Sequence, residues 1–256
     1  MPGKPKAAPL KVSGELTDAV RKLLDQKFNL QVGSVNGNGA HRAVTDAQEL
    51  KSDDKLIHLG VTGTDQVAAL DDPATLAALE ALPESIGGQT VNGFGVQGGT
   101  VTAEHLRRLR ATLVGKNLSY ISWHDVKTSG ETVTELTRFK KLVFLSFYRV
   151  RGLSGKSFQS VAVAFPDLYR IDVVGLDLDP SFLSHLRGVK LQWFEIVAMP
   201  QIDDGCVESL AAIKTLTRLT LAGCKLTPEG VKRLAAALPL CRIEWDGGVI
   251  EPTPAK

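Results

Sequence analysis

The sequence predicts an α/β solenoid, in which parallel strands lie side by side in chain order and each is returned to the next by a helix. Three observations predict it. A short stretch with two alternating apolar positions, Leu216-Thr-Arg-Leu219-Thr-Leu221-Ala-Gly-Cys224-Lys-Leu226, has the period of a strand with one buried face and then a turn. The same stretch recurs from Leu56, Val91, Leu118, Leu142, Leu168, Leu191 and Leu216, with a shortened copy from Cys241, at intervals of 35, 27, 24, 26, 23, 25 and 25 residues. Between the copies the pattern switches to helical spacing behind a capping residue.

The elements follow in order. Residues 1–11 are rich in Pro, Lys and Ala and are expected to form a disordered arm. From Ser13 to Phe28, Leu16, Val20, Leu23 and Leu24 fall on one helical face. Leu30, Val32 and Val35 then alternate as a strand, Asn36-Gly-Asn-Gly marks a turn, and Ala40 to Leu50 is expected to be a short helix. Residues 12–55 are therefore read as an N-terminal cap over the apolar end of the array. The repeats occupy 56–240, and a last strand with its tail, 241–256, closes the other end. The long first interval, around Asp71-Asp-Pro-Ala-Thr, is assigned a lengthened helix or loop. Thr102, Asp203 and Thr227 open later helices, with Pro228 and Pro180 at first helical positions, where a missing N–H costs nothing.

Residues 56–252 carry a resemblance to a known family. The strand pattern is that of a leucine-rich repeat. Ile202-Asp-Asp-Gly205-Cys-Val-Glu-Ser-Leu210 and Leu226-Thr-Pro-Glu-Gly230-Val-Lys-Arg-Leu234 resemble one half of the cysteine-containing subclass. The end, Ala237 to Pro252, is similar to that of bacterial, planctomycete-type members. The resemblance implies a right-handed, horseshoe-like superhelix with a parallel concave sheet and convex helices, serving as a binding scaffold with no single substrate or partner.

Composition excludes several functions. The 256 residues are 43% hydrophobic and 23% charged with a formal charge of +2, too balanced to call for nucleic acid. No apolar run approaches the roughly 18 residues of a membrane span. The first residues hold no apolar core segment, so no signal peptide is expected, and a cytoplasmic location is the default. A chain that had lost its leader would read the same, and an exported protein fits too. Three cysteines, Cys206, Cys224 and Cys241, make no disulfide framework, and Cys224 and Cys241 are read as buried structural thiols. The five histidines form no metal-binding pair, so neither a metal nor another cofactor is expected. Gly93-Phe-Gly95-Val-Gln-Gly98 fits a phosphate-loop pattern, but Phe94 and Val96 are needed inside a strand, which lays the glycines along it.

The candidate site follows from strand geometry. Residues between the buried positions point to the opposite face and line up across neighbouring strands. One row is His58, Gly93, Tyr120, Phe144, Arg170, Trp193, Arg218 and Arg242. A second is Gly60, Gly95, Ser122, Ser146, Asp172, Glu195, Thr220 and Glu244. A third is Thr62, Gln97, His124, Tyr148, Val174, Val197, Ala222 and Asp246. In the middle of the array Tyr120, His124, Phe144, Tyr148 and Trp193 gather beside Arg170, Asp172, Glu195 and Arg218 over roughly 15–20 Å. Aromatics and arginine dominate interface hot spots, so a monomeric, non-catalytic scaffold recognising an unknown protein ligand is expected. The plainer alternative is that these side chains pack on one another. A glycan-binding module could use the same face, and an enzyme could draw on His124, Asp172 and Glu195 if they shared a deep pocket.

Overall fold

The structure is a computed structural model and describes residues 14–25, 28–34, 41–51, 54–63, 69–81, 85–86 and 89–253. The expected arm at 1–11 and the turn at Asn36–Gly39 lie outside the described residues, as does Val35. The first helix, α1 (Gly14–Asp25), buries Leu16, Val20 and Leu23 along one face. Strand β1 (Asn29–Ser34) pairs antiparallel with β2 (His41–Val44) and with β3 (Asp54–Thr62). The helix expected from Ala40 to Leu50 is instead β2 followed by a single 3₁₀ turn, Ala47–Glu49. Val44 is buried while Ala43 is exposed, so pairing with β1 buries one side of this segment and satisfies its backbone.

From β3 onward the chain alternates. Helix α2 (Pro73–Glu80) leads to a small antiparallel pair, β4 (Ser85–Ile86) and β5 (Gln89–Thr90), so the long first interval holds a short helix plus a hairpin. Next come β6 (Gly93–Gln97), α3 (Ala103–Ala111), α4 (Leu113–Asn117), β7 (Tyr120–His124), α5 (Gly130–Leu136), β8 (Phe144–Tyr148), α6 (Gly155–Ala164) and β9 (Arg170–Val174). A 3₁₀ helix, Pro180–Leu186, takes the place of an α-helix before β10 (Trp193–Val197). It lies in the shortest interval, 23 residues, where the 3₁₀ rise of about 2.0 Å per residue covers more distance than an α-turn does. A second 3₁₀ turn and α7 (Val207–Ala211) precede β11 (Arg218–Ala222), α8 (Pro228–Ala237), β12 (Arg242–Trp245) and β13 (Gly248–Ile250).

Among the described residues these form one mixed α/β unit built on an 11-stranded sheet, ordered β13-β12-β11-β10-β9-β8-β7-β6-β3-β1-β2 and not closed into a barrel. The strands from β3 to β12 in that order are parallel, with antiparallel partners only at the two ends. The register is uniform: Ile121 faces Leu145, Leu145 faces Ile171, Phe194 faces Ile171 on one side and Leu219 on the other. All five are fully buried. Two positions on, Trp123, Phe147, Val173, Ile196 and Leu221 make a second inner row. Burying each such side chain contributes about 1.5–3 kcal/mol. Phe158 of α6 meets Phe147 edge-on at 6.2 Å and Phe182 at 4.8 Å, which ties the helical layer to the sheet.

Each strand from β6 to β11 is followed directly by a residue in the left-handed region: Gly98, Asp125, Arg149, Gly175, Ala198 and Gly223. The chain thus leaves each of these six strands through a left-handed corner at the same place, which keeps the rows aligned. Among the described residues no helix is long and apolar enough to cross a membrane.

Candidate functional site

The face turned away from the helices carries the three predicted rows. In the first, pairing places Tyr120 beside Phe144, Phe144 beside Arg170, Arg170 beside Trp193 and Trp193 beside Arg218. At a strand spacing of about 4.8 Å flat groups on adjacent strands can stack, and these do. The Tyr120 and Phe144 rings lie 4.2 Å apart and nearly parallel. The Arg170 guanidinium sits between rings, 4.5 Å from the centre of Phe144 and 3.5 Å from that of Trp193, and Arg218 covers Trp193 at 4.5 Å. His58 continues the row past Gly93, 5.3 Å from Tyr120. Tyr120, Phe144 and Trp193 are half-buried, which leaves part of each open to solvent, whereas His58 is buried. The self-packing alternative is therefore correct for the ring faces.

Arg170 is held from below as well as from the sides. Its Nε and Nη2 donate to Asp172 at 2.7 and 2.9 Å, and Nη2 donates to Glu195 at 3.3 Å. Asp172 is only 8% exposed. Burial pushes its carboxyl up to about 6 and outweighs the Arg170 guanidinium, which acts in the other direction. Tyr120 is also raised, first by burial, with the nearby Ser122 and Ser146 acting in the other direction.

The second row departs from the sequence expectation of an open surface: Ser122, Ser146 and Asp172 are buried, and so is Val174 of the third row. Long side chains of the first row lean over these small ones. Arg170 and the Tyr120 hydroxyl both reach across. His58 does the same, its Nε2 lying 3.2 Å from Ser122 Oγ. Strand alternation says which way a residue points, but not what its neighbours cover.

In the third row His124 stacks on Tyr148 at 5.2 Å, and the Arg149 guanidinium lies 5.1 Å from the centre of the Tyr148 ring. Two hydrogen bonds of 2.6 and 2.7 Å clamp Arg149 to Asp125, which holds that carboxyl below its usual value. Burial lowers His124, so its imidazole is neutral near pH 7. The charges that act on it are Asp125 and Arg149, whereas Asp172 and Glu195 are engaged with Arg170 two and three strands away. His124, Asp172 and Glu195 are thus not gathered into one pocket.

No protein-family model matches this chain, and no curated protein matches it either. The site is accordingly read from its own residues.

Two further residues complete the surface. Val143 and Tyr169, each preceding the first row by one position, are 42% and 46% exposed and adjoin through the bond from Tyr169 N to Val143 O, 2.8 Å. With Tyr120, Phe144, Asn92 and Ser119 they line a shallow apolar groove at the head of the ladder. The sequence signal for them was available, since they follow the same repeat register one place earlier. Arg218 is exposed and makes no ion pair among the described residues, and Trp193 Nε1 is buried without a hydrogen-bond partner there. No cluster of three or more His, Cys, Asp or Glu suited to a metal occurs among the described residues.

Proposed function

We propose that the chain is a leucine-rich repeat solenoid, capped by residues 12–55 and 241–256, that serves as a non-catalytic scaffold recognising another protein. The observation that carries this reading is the ladder Tyr120–Phe144–Arg170–Trp193–Arg218, beside the exposed Val143 and Tyr169. Stacking has already fixed these side chains, so a partner that docks on their open edges loses little side-chain entropy. Arg218, which stacks on Trp193 and makes no ion pair among the described residues, orients the partner through its guanidinium fork, and Arg170 with its two carboxylates makes the neighbouring polar anchor. The uniform register of parallel strands supports the repeat reading, and the separation of His124 from Asp172 and Glu195 weighs against catalysis.

The test is recovery of a partner from the native host on the immobilised protein, identified by mass spectrometry, followed by affinity measurement with Phe144→Ala and Trp193→Ala. Retention of wild-type affinity by both variants would assign recognition to another face.

A further inference from the structure

At the N-terminal end of the same face the rows change character. Where β1 meets β3, Gln31 pairs with His58 and Asn29 with Gly60. The second row there runs Asn29, Gly60, Gly95, Ser122. Over it lies a hollow of about 120 Å³, bounded by His58 on one side and by Gln97 and His124 on the other. A single ordered water needs roughly 10–15 Å³ of such space, so the hollow holds several waters or a small ring.

The two glycines have different explanations. At Gly95 a Cβ would lie 2.6 Å from the His58 ring and 2.7 Å from Ser122 Oγ, so the glycine is what lets His58 reach Ser122. At Gly60 a Cβ would stand no closer than 3.5 Å to anything, an ordinary contact. Its backbone is extended, where glycine weakens a strand by about 0.5–1 kcal/mol relative to alanine. Neither packing nor backbone conformation asks for glycine at 60. What its missing side chain leaves is the floor of the hollow.

The lining chooses the ligand. It contains no Lys, Arg, Asp or Glu among the described residues, so nothing there compensates an anion or a cation. It is also unsuited to a purely apolar group: His58 and Ser122 are buried polar side chains at its inner edge, and Asn29, Gln31 and Gln97 bring amides, each able to donate and to accept. Hydroxyl groups, which also do both, match such a set. Tyr148 covers one face of the His124 ring, and the register turns the other toward Gln97 and the hollow, where it offers a flat surface to the C–H side of a ring. We infer that this hollow binds a neutral, polyhydroxylated ring, a single sugar unit, at a site separate from the aromatic ladder.

The experiment uses the full chain, labelled with ¹⁵N, titrated separately with glucose, galactose, mannose and N-acetylglucosamine into the millimolar range. Acetamide and inorganic phosphate serve as a neutral amide and an anion. At least one sugar is expected to shift the amides of Gly60, Gly95, Gln97 and His124 in a saturable way. Gly60→Leu, which places a side chain on the floor, and Gln97→Ala, which removes a wall, should each weaken that binding by at least about tenfold, with the melting temperature of Gln97→Ala unchanged. The inference is overturned if no sugar moves these amides, if acetamide or phosphate moves them as strongly, or if the shifts persist in both variants. Phe144→Ala should leave sugar binding intact, so failure here is distinct from failure of the protein-recognition reading.

Discussion

Asp172 offers a stability measurement with a definite sign. Burial raises its carboxyl from 3.8 to about 6 even though Arg170 sits on it. A raised acid holds, in the folded protein, a proton that the unfolded chain has already released. Its contribution to stability is therefore fully present below the unfolded value, near pH 4, and is lost as pH rises through about 6. At about 1.36 kcal/mol per pKa unit the loss amounts to roughly 3 kcal/mol, undiminished by solvent since the group is buried. Asp172→Asn keeps the shape and removes the titration. Urea unfolding of both proteins from about pH 4 to pH 7 should show the wild type losing roughly 3 kcal/mol relative to the variant. Carboxyls held low elsewhere, such as Asp125, Asp179 and Asp204, act in the opposite sense but are common to both proteins and cancel. A stability difference that stayed flat across this range would mean that Arg170 keeps Asp172 ionised throughout, and the balance argued here would be wrong.

Other outcomes follow from the same geometry. Gly95→Ala should destabilise by about 1–3 kcal/mol because its Cβ overlaps His58 and Ser122, whereas Gly60→Ala should be neutral or slightly stabilising; thermal melts compare them. Ala198 holds a left-handed φ of 53°, and Ala198→Gly should raise stability by up to about 1 kcal/mol, read from the urea midpoint. Burial pushes Cys224 and Cys241 up to about 11, so a thiol reagent at neutral pH should modify these two positions about a hundredfold more slowly in the folded protein than in the unfolded chain, read by mass spectrometry site by site.

Much of the architecture was legible because a repeated period constrains it many times over. Leu145, Ile171, Phe194 and Leu219 occupy matching places on adjacent parallel strands, as their spacing required. Elements outside the period were harder. β2 departs from the expected helix because four residues carry too little pattern to override the helix formers around them, and its partner β1 decides the matter. The hairpin β4–β5 and the final strand β13 had no repeat counterpart to announce them. Pro180–Leu186 has helical apolar spacing, but the shortness of its interval selects 3₁₀ geometry. At the site, the rows were readable from alternation alone. The sandwiching of Arg170, the burial of Asp172 and the reach of His58 to Ser122 were not, because they depend on side-chain length across strands and not on period.

The most direct test of the proposed recognition surface compares three substitutions against one purified partner. Trp193→Ala removes the ring stacked between Arg170 and Arg218, Arg218→Ala the guanidinium at the end of the ladder, and Val163→Ala alters a side chain that is 80% exposed on α6, in the helical layer. Hot-spot truncation costs about 2 kcal/mol or more, so Trp193→Ala should weaken binding by roughly thirtyfold. Arg218→Ala should weaken it by a smaller factor, and Val163→Ala should leave it unchanged. Binding that survives Trp193→Ala while Val163→Ala abolishes it would place the working surface on the helices and contradict the account.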